Sequence, residues 1–430
     1  MLAEIKEVFD KINKDRYGIG YDLSEDYVQI SYCRVDGDTP ETLSTVTGED
    51  CYNIPLVLCR RRSSGKWVIG AEAELAASEG DGRLVTGLLD AVRNEELVSV
   101  ETEEYQAKDL LALFIKRSLG FLFETIPSEK IAEIVIAVRN ADSEMIRILR
   151  ETIGVLKGNS EKISFISYEE SFFFYMLYQP SELQNHQVLV CDAGGDYLRT
   201  YRLERNSFLS PCVATVEGIC HKDFPLKGYF GGKGEKDEAF LAIAQKLCEN
   251  RIFSGVYLIG EGFYEDWCKE SLRFLCKNRR VFKGNNLFSK GAAFAAKEKA
   301  NPSGYEKNIR YLGNEQLKAN ISIQTHNPGK NGKLLLAQAG AHWYEVSGVK
   351  EVILQETDTL PIVVEYVSKN GTAVADFKLE GFPAGSGRMT RVSVEVTMSG
   401  ENKVVFKVTD LGFGEIFPAT GKVWTEEMNL

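Results

Sequence analysis

Three short segments join an apolar, strand-like run to glycine and a carboxylate. They are Gly18-Ile19-Gly20-Tyr21-Asp22-Leu23-Ser24, Val188-Leu189-Val190-Cys191-Asp192-Ala193-Gly194-Gly195-Asp196 and Val256-Tyr257-Leu258-Ile259-Gly260-Glu261-Gly262-Phe263. Glycine bares backbone N–H groups that can approach a phosphate. An aspartate at a strand end can hold a hydrated Mg²⁺ or orient a water. The same residues also serve plain structural ends, glycine as a tight turn and aspartate as a strand cap. Both readings stay open for Asp22 and Asp192.

The elements around these turns read as alternating strands and helices. Tyr27 to Tyr32 alternates like a half-buried strand, and Ile54 to Arg60 and Lys66 to Gly70 follow across the turn-rich Ser63-Ser64-Gly65. Tyr105 to Thr125 places Leu110, Leu111, Phe114, Ile115 and Leu119 at helical spacing. Ile131 to Val138 has strand length, and Ser143 to Leu156 reads as a helix. The succession returns at Val188 to Asp192 and Val256 to Ile259, which predicts an α/β domain with parallel strands. At the N-terminus, Ile5, Val8, Phe9 and Ile12 predict a short amphipathic helix. Beyond Asn301-Pro302-Ser303-Gly304 the pattern turns to strands. Ile362 to Val367 precedes a Lys369-Asn370-Gly371 turn, Arg391 to Thr397 alternates with Val392, Val394 and Val396 on one face, and Val404, Phe406 and Val408 line the facing strand. This predicts an all-β sandwich.

Composition narrows the functional classes. Of 430 residues, 44% are hydrophobic and 26% charged, as in ordinary globular proteins. Sixty-two acids against 51 bases leave a net charge of -11, which disfavours nucleic acid and anionic lipid. No run approaches the roughly 20 apolar residues of a membrane span, and Met1 to Asp15 lacks the apolar centre of a secretion signal. Nine cysteines without a CxxC pair suggest free thiols in a reducing cytoplasm, so a cytoplasmic location is expected.

In order and spacing the three turns resemble the actin/sugar-kinase/heat-shock-chaperone superfamily, and most closely its seventy-kilodalton heat-shock chaperones. Asp22-Leu23-Ser24 stands where that family has its first phosphate loop, Asp192-Ala193-Gly194-Gly195 looks like the second, and Ile259-Gly260-Glu261-Gly262 is similar to its adenosine motif. Tyr168-Glu169-Glu170-Ser171 lies where the first connecting helix begins, and Asn285-Asn286 with Gly291-Ala292-Ala293 resembles the second. Phe377 to Pro383, Val392 to Val396 and Val404 to Asp410 look like strands of the family's substrate-binding β-sandwich.

The resemblance implies a bilobal actin-like (ribonuclease H-like) α/β nucleotide-binding domain over 1–300, with lobe I at about 16–185, lobe II at about 186–300 and a reduced upper subdomain. It implies a linker over 301–316 and a lidless β-sandwich over 317–430. It further implies ATP or ADP with Mg²⁺ in the cleft, Asp22 and Asp192 on the metal through water, and Asp192 or Glu169 orienting the attacking water. Ser24, Gly194, Gly195, Gly260 and Gly262 would hold the nucleotide, and the β domain a polypeptide or protein partner.

Several residues depart from that pattern. Ser24-Glu25-Asp26 replaces Gly-Thr-Thr and puts two carboxylates beside an expected triphosphate. Asp196 and Tyr197 replace a glycine and a threonine, Glu261 a glycine, and Phe172-Phe173-Phe174 a run of small residues. No residue matches the family's catalytic lysine; Arg60, Arg61, Arg62 and Lys66 read as a hairpin tip. Two expectations follow: a chaperone-like protein with a divergent, weakly hydrolysing ATPase domain, or a non-enzymatic interaction module that has lost the nucleotide. A small-molecule kinase of the same superfamily is a third, without a base or substrate pocket to support it.

Overall fold

The computed structural model describes residues 16–37, 39–46, 48–154, 162–227, 232–327, 330–367, 371–382, 387 and 389–430. The helix expected from Ile5, Val8, Phe9 and Ile12 lies outside them, as do Lys369, Asn370 and Pro383. The chain divides into two compact units, Met1–Arg205 with Thr215–Tyr305, and Asn206–Ala214 with Glu306–Leu430.

Beside a three-stranded and a two-stranded sheet, the first unit is built around two large ones. One contains β1 (Tyr17–Leu23), β2 (Tyr27–Arg34), β3 (Glu41–Thr42), β4 (Ile131–Val138) and β5 (Ile163–Ser167). Its order is β5-β4-β1-β2-β3, with β1 antiparallel to β2 and parallel to β4, and β4 parallel to β5. The other contains β6 (Gln187–Asp192), β7 (Tyr197–Asn206), β8 (Cys212–Pro225), β9 (Phe253–Ile259) and β10 (Arg280–Gly284). Its order is β10-β9-β6-β7-β8, again with the first hairpin antiparallel and the later strands parallel. The two sheets therefore share one connectivity, and in each the first strand carries an aspartate at its end or one residue before it, Asp192 or Asp22. Buried on both faces, β1, β4 and β6 are near-continuous apolar runs, as the parallel centre of a covered sheet requires.

Helix α1 (Ala107–Phe123) buries Leu110, Leu111, Phe114 and Ile115, as its spacing predicts, and α2 (Ser143–Gly154) follows β4. Between Leu58–Arg60 and the Leu84–Val85 strand lies a helix over Gly70–Ser78 that the sequence pattern did not announce, because its apolar residues are mostly alanines. The arginine run Arg60–Arg62 sits in a hairpin and pairs with Glu103, Glu72 and Asp81, and Glu101. The stretch between Gly195 and Val256 is consumed by β7, β8 and helix α4 (Lys233–Cys248), preceded in the chain by α3 (Tyr168–Leu177). The last helix of the unit is α5 (Leu287–Ala300).

Helices α3 and α5 pack backbone to backbone. A Cβ at Gly291 would lie 2.0 Å from the Ser171 carbonyl oxygen, so only glycine fits there. Ser171 Oγ donates to the Phe288 carbonyl at 2.6 Å, and Tyr178 stacks on Phe294 with centroids 4.2 Å apart. The three phenylalanines after Ser171 are buried, Phe173 and Phe174 against each other and Tyr305.

The second unit is a sandwich of two four-stranded antiparallel sheets. Its strands are β11 (Ala319–Asn327), β12 (Lys330–Ala337), β13 (Ser347–Gln355), β14 (Thr359–Tyr366), β15 (Gly371–Lys378), β16 (Met389–Gly400), β17 (Lys403–Gly412) and β18 (Val423–Asn429). The sheet orders are β12-β11-β14-β15 and β13-β16-β17-β18. Period-two alternation sends Val392, Val394 and Val396 of β16 and Val404, Phe406 and Val408 of β17 inward, where they join Leu360, Ile362 and Val364 of β14 in one core. Full burial of each such side chain stabilises by roughly 1.5–3 kcal/mol. Ile309–Tyr311, within the expected linker, is a strand parallel to Cys212–Ala214 of the same unit.

Candidate functional site between two sheets

Parallel strands carry their loops to a common edge, and the C-terminal ends of β1, β4 and β6 bring Asp22, Arg139 and Asp192 together. All three are buried, with Asp22 1% and Asp192 2% exposed. Arg139 follows β4 directly. One of its terminal nitrogens lies 3.2 Å from Asp192 Oδ2 and 3.4 Å from the Gly194 carbonyl; the other lies 2.9 Å from Glu25 Oε2. Its guanidinium also sits over the Tyr168 ring, 5.4 Å from the centroid. Tyr168 donates to Asp22 Oδ1 and stacks on Phe288 of α5 at 4.0 Å. Ser167 caps α3 by accepting the Glu170 N–H, which fixes Tyr168 at the start of that helix.

Burial pushes the Asp22 carboxyl up to about 7, against the hydrogen bond from Tyr168 and the charge of Arg139, which pull it down. Asp192 is also raised by burial, with Arg139 and the Gly194 N–H opposing. Burial opposes the Arg139 charge, but Asp192 and its other neighbours outweigh that and hold the guanidinium protonated. This is a buried cation matched to carboxylates on both sides.

The structure places the other sequence candidates around this centre with different employments. Ser24 Oγ donates to the Tyr27 carbonyl at 2.7 Å and accepts the Tyr27 N–H at 3.1 Å, closing the β1–β2 turn. Gly194 N–H donates to Asp192 Oδ1 at 2.9 Å. A Cβ on Gly194 would meet the Tyr27 hydroxyl at 3.4 Å, so a tyrosine borders that loop. Gly195 has φ +90° and faces Arg139. Gly260, also at φ +90°, has no room for a side chain because a Cβ would lie 2.4 Å from the Gly194 nitrogen; Gly262 packs on Ala193 in the same way. The glycines of the third turn thus serve an approach of loop to loop. Glu169 points to Gly218 of β8, whose Cβ would meet Glu169 Oε1 at 2.5 Å. Asn53 donates to Glu261 Oε1 while accepting from Gln29 at 2.6 Å. Lys227 bridges Asp26 and Asp196 at 3.5 and 3.1 Å.

Sequence reasoning passed over Arg139, Tyr27 and Tyr168. Arg139 carried one usable signal: a lone basic residue after an apolar parallel strand, at the edge where the other strands deliver their aspartates.

A magnesium ion with a phosphate chain needs carboxylates open to its water shell and N–H donors free to meet anionic oxygens. Here Asp192 faces a guanidinium, Gly194 N–H is engaged by Asp192, and Ser24 is engaged by Tyr27. The residues present do not fit that group in this arrangement. No group of three or more metal-ligating side chains occurs among the described residues. No helix among them is long and apolar enough to cross a membrane.

Residues 39–314 match the model of a family described as "Family of unknown function (DUF5716) C-terminal", and residues 316–430 that of a "Domain of unknown function (DUF8552)". The first match includes Arg139 and Asp192 and begins after Asp22. No curated protein matches the chain.

Proposed function

We propose, for a chain that belongs to the DUF5716 family of unknown function, a non-enzymatic protein-interaction role in which an actin-like bilobal body has exchanged its Mg-nucleotide for an internal arginine. The observation that carries this reading is the Arg139 guanidinium between Asp192 and Glu25. A fixed cation there neutralises the carboxylates a metal would otherwise need. It also joins the lobes, together with Asn53–Glu261 and Lys227 between Asp26 and Asp196. Breaking such a buried pair costs about 3–5 kcal/mol, far more than an exposed one, so Arg139 dominates this set. The β-sandwich would then supply the partner-binding surface.

The shared connectivity of the two sheets favours the other expectation, a chaperone-like protein that binds ATP or ADP. Calorimetry of the purified chain with Mg-ATP and Mg-ADP separates the two. No heat of binding at millimolar nucleotide is expected. Saturable binding would replace the interaction-only reading with the nucleotide-binding one.

A further inference from the structure

Residues 271–284 hold five bases and no acid, in a chain whose net charge is -11. They begin in a short helix, Lys269–Leu275, and end in β10. That helix starts beside α4, where Asp237 accepts the Glu270 and Ser271 N–H groups at 2.7 and 3.0 Å. The two helices leave this one clamp and run on to Cys248 and Leu275. Between their far ends lies a solvent-open groove of about 690 Å³. Ala242, Cys248 and Phe274 supply its apolar lining, and Lys246 and Arg279 its cations, with a single carboxylate, Glu249.

Part of this charge serves the helix ends. The last carbonyls of a helix carry its negative end and attract cations. Arg251 donates to the Leu247 carbonyl at 3.1 Å, and Arg279 to the Phe274 carbonyl at 3.3 Å, with its guanidinium 5.3 Å from the centroid of the Phe274 ring. Capping leaves the rest of the charge unmatched. Lys269, Arg273 and Arg280, outside the groove lining, meet Asp266, Glu270 and Glu182. Lys246 and Arg279, within it, form no ion pair among the described residues. The cations without a carboxylate are thus those that border the apolar recess. Such a surface complements carboxylates carried by another molecule, with a bulky apolar side chain between them.

We propose that this groove docks an acidic segment of a protein partner. A leucine or phenylalanine of that segment enters against Phe274 and Ala242, and its flanking glutamates or aspartates meet Lys246 and Arg279. The surface shares no residue with the Arg139 junction or with the sandwich, so it is a second interaction site beyond the reading above. Rim charges of this kind govern the rate and salt dependence of association, and the apolar anchor holds the complex.

The test uses the full chain and two fluorescein-labelled synthetic peptides, one in which single leucines stand between glutamates and one in which lysines replace the glutamates. Anisotropy is expected to show saturable binding of the acidic peptide, weakened as salt is raised, and none of the basic one. Lys246→Glu changes an exposed side chain and is expected to lower the affinity about tenfold. Arg279→Glu is expected to do the same. Ala242→Trp, also at an exposed position, fills the groove without changing its charge and is expected to abolish binding. Arg273→Glu makes the same change of net charge outside the groove and is expected to stay within about twofold of wild type. An acidic peptide that does not bind, equal binding of both peptides, or binding that survives Lys246→Glu and Ala242→Trp would overturn the proposal. So would a loss for Arg273→Glu as large as for Lys246→Glu, which would reduce the effect to net charge. A salt-sensitive dimer of the free chain that Lys246→Glu dissociates would also overturn it, since a second copy would then own the groove. None of these outcomes alters nucleotide calorimetry, so a failure here is distinct from a failure of the Arg139 reading.

Discussion

The guanidinium of Arg139 lies 3.2 Å from the Asp192 carboxylate, with both side chains nearly out of contact with solvent. Arg139 follows the second parallel strand of one sheet, and Asp192 ends the first strand of the other. Their pairing converts two strand ends into one junction. Removing either partner strands the other in a poorly hydrated place.

Asp192→Asn is therefore expected to destabilise the first unit by about 3 kcal/mol, because Arg139 keeps only the half-exposed Glu25 as a charged partner. Thermal unfolding at neutral pH checks this. A melting temperature unchanged within error would show that the pair is not a stabilising junction.

Asp22 is expected to behave in the opposite sense. Its carboxyl titrates near 7 in the folded chain against an ordinary 3.8. The folded state thus retains a proton that the unfolded chain releases between those values. The stability tied to this proton is complete below about 4 and is lost as pH rises through 7. Asp22→Asn keeps an acceptor for Tyr168 and removes the charge, so it is expected to raise the melting temperature at pH 8 and leave it near wild type at pH 4. A variant less stable at pH 8 would show that the Asp22 charge is needed.

Gly291→Ala is expected to cost about 2–3 kcal/mol or more, since a Cβ would meet the Ser171 carbonyl at 2.0 Å and neither helix backbone can yield cheaply. Denaturant titration, with Gly284→Ala as an unhindered comparison, reads the difference. Equal stability of the two variants would mean that α3 and α5 do not meet at this point.

Phe406→Ala is expected to destabilise the sandwich by about 3–5 kcal/mol, because this fully buried ring contacts Phe377 across the two layers. A loss below about 1 kcal/mol in chemical denaturation followed in the second unit would argue against a shared core.

Much of this arrangement was legible in the chain. Alternation at Val392, Val394 and Val396 dictated an inward face because one strand face is buried and the other is not. Asp22 and Asp192 could be placed at strand ends because apolar runs stop at them. What the residues do once there was not legible. Ser24, Gly194, Gly260 and Gly262 stand in the right turns, yet their hydrogen-bonding groups and free space are spent on Tyr27, Asp192 and the Ala193–Gly194 backbone. Such employment depends on long-range contacts, which spacing along the chain does not encode. Arg139 lies 53 residues before Asp192, and its one local mark, a basic residue after an apolar strand, does not say which carboxylate it meets.

Crystals of the full chain soaked in Mg-ADP decide whether an arginine has taken the place of a nucleotide. Density is expected for the Arg139 guanidinium between Asp192 and Glu25, with the Gly194 N–H on Asp192 and no phosphate density beside them. Phosphate and metal density against Asp22 and Asp192, with Arg139 swung away, would contradict it.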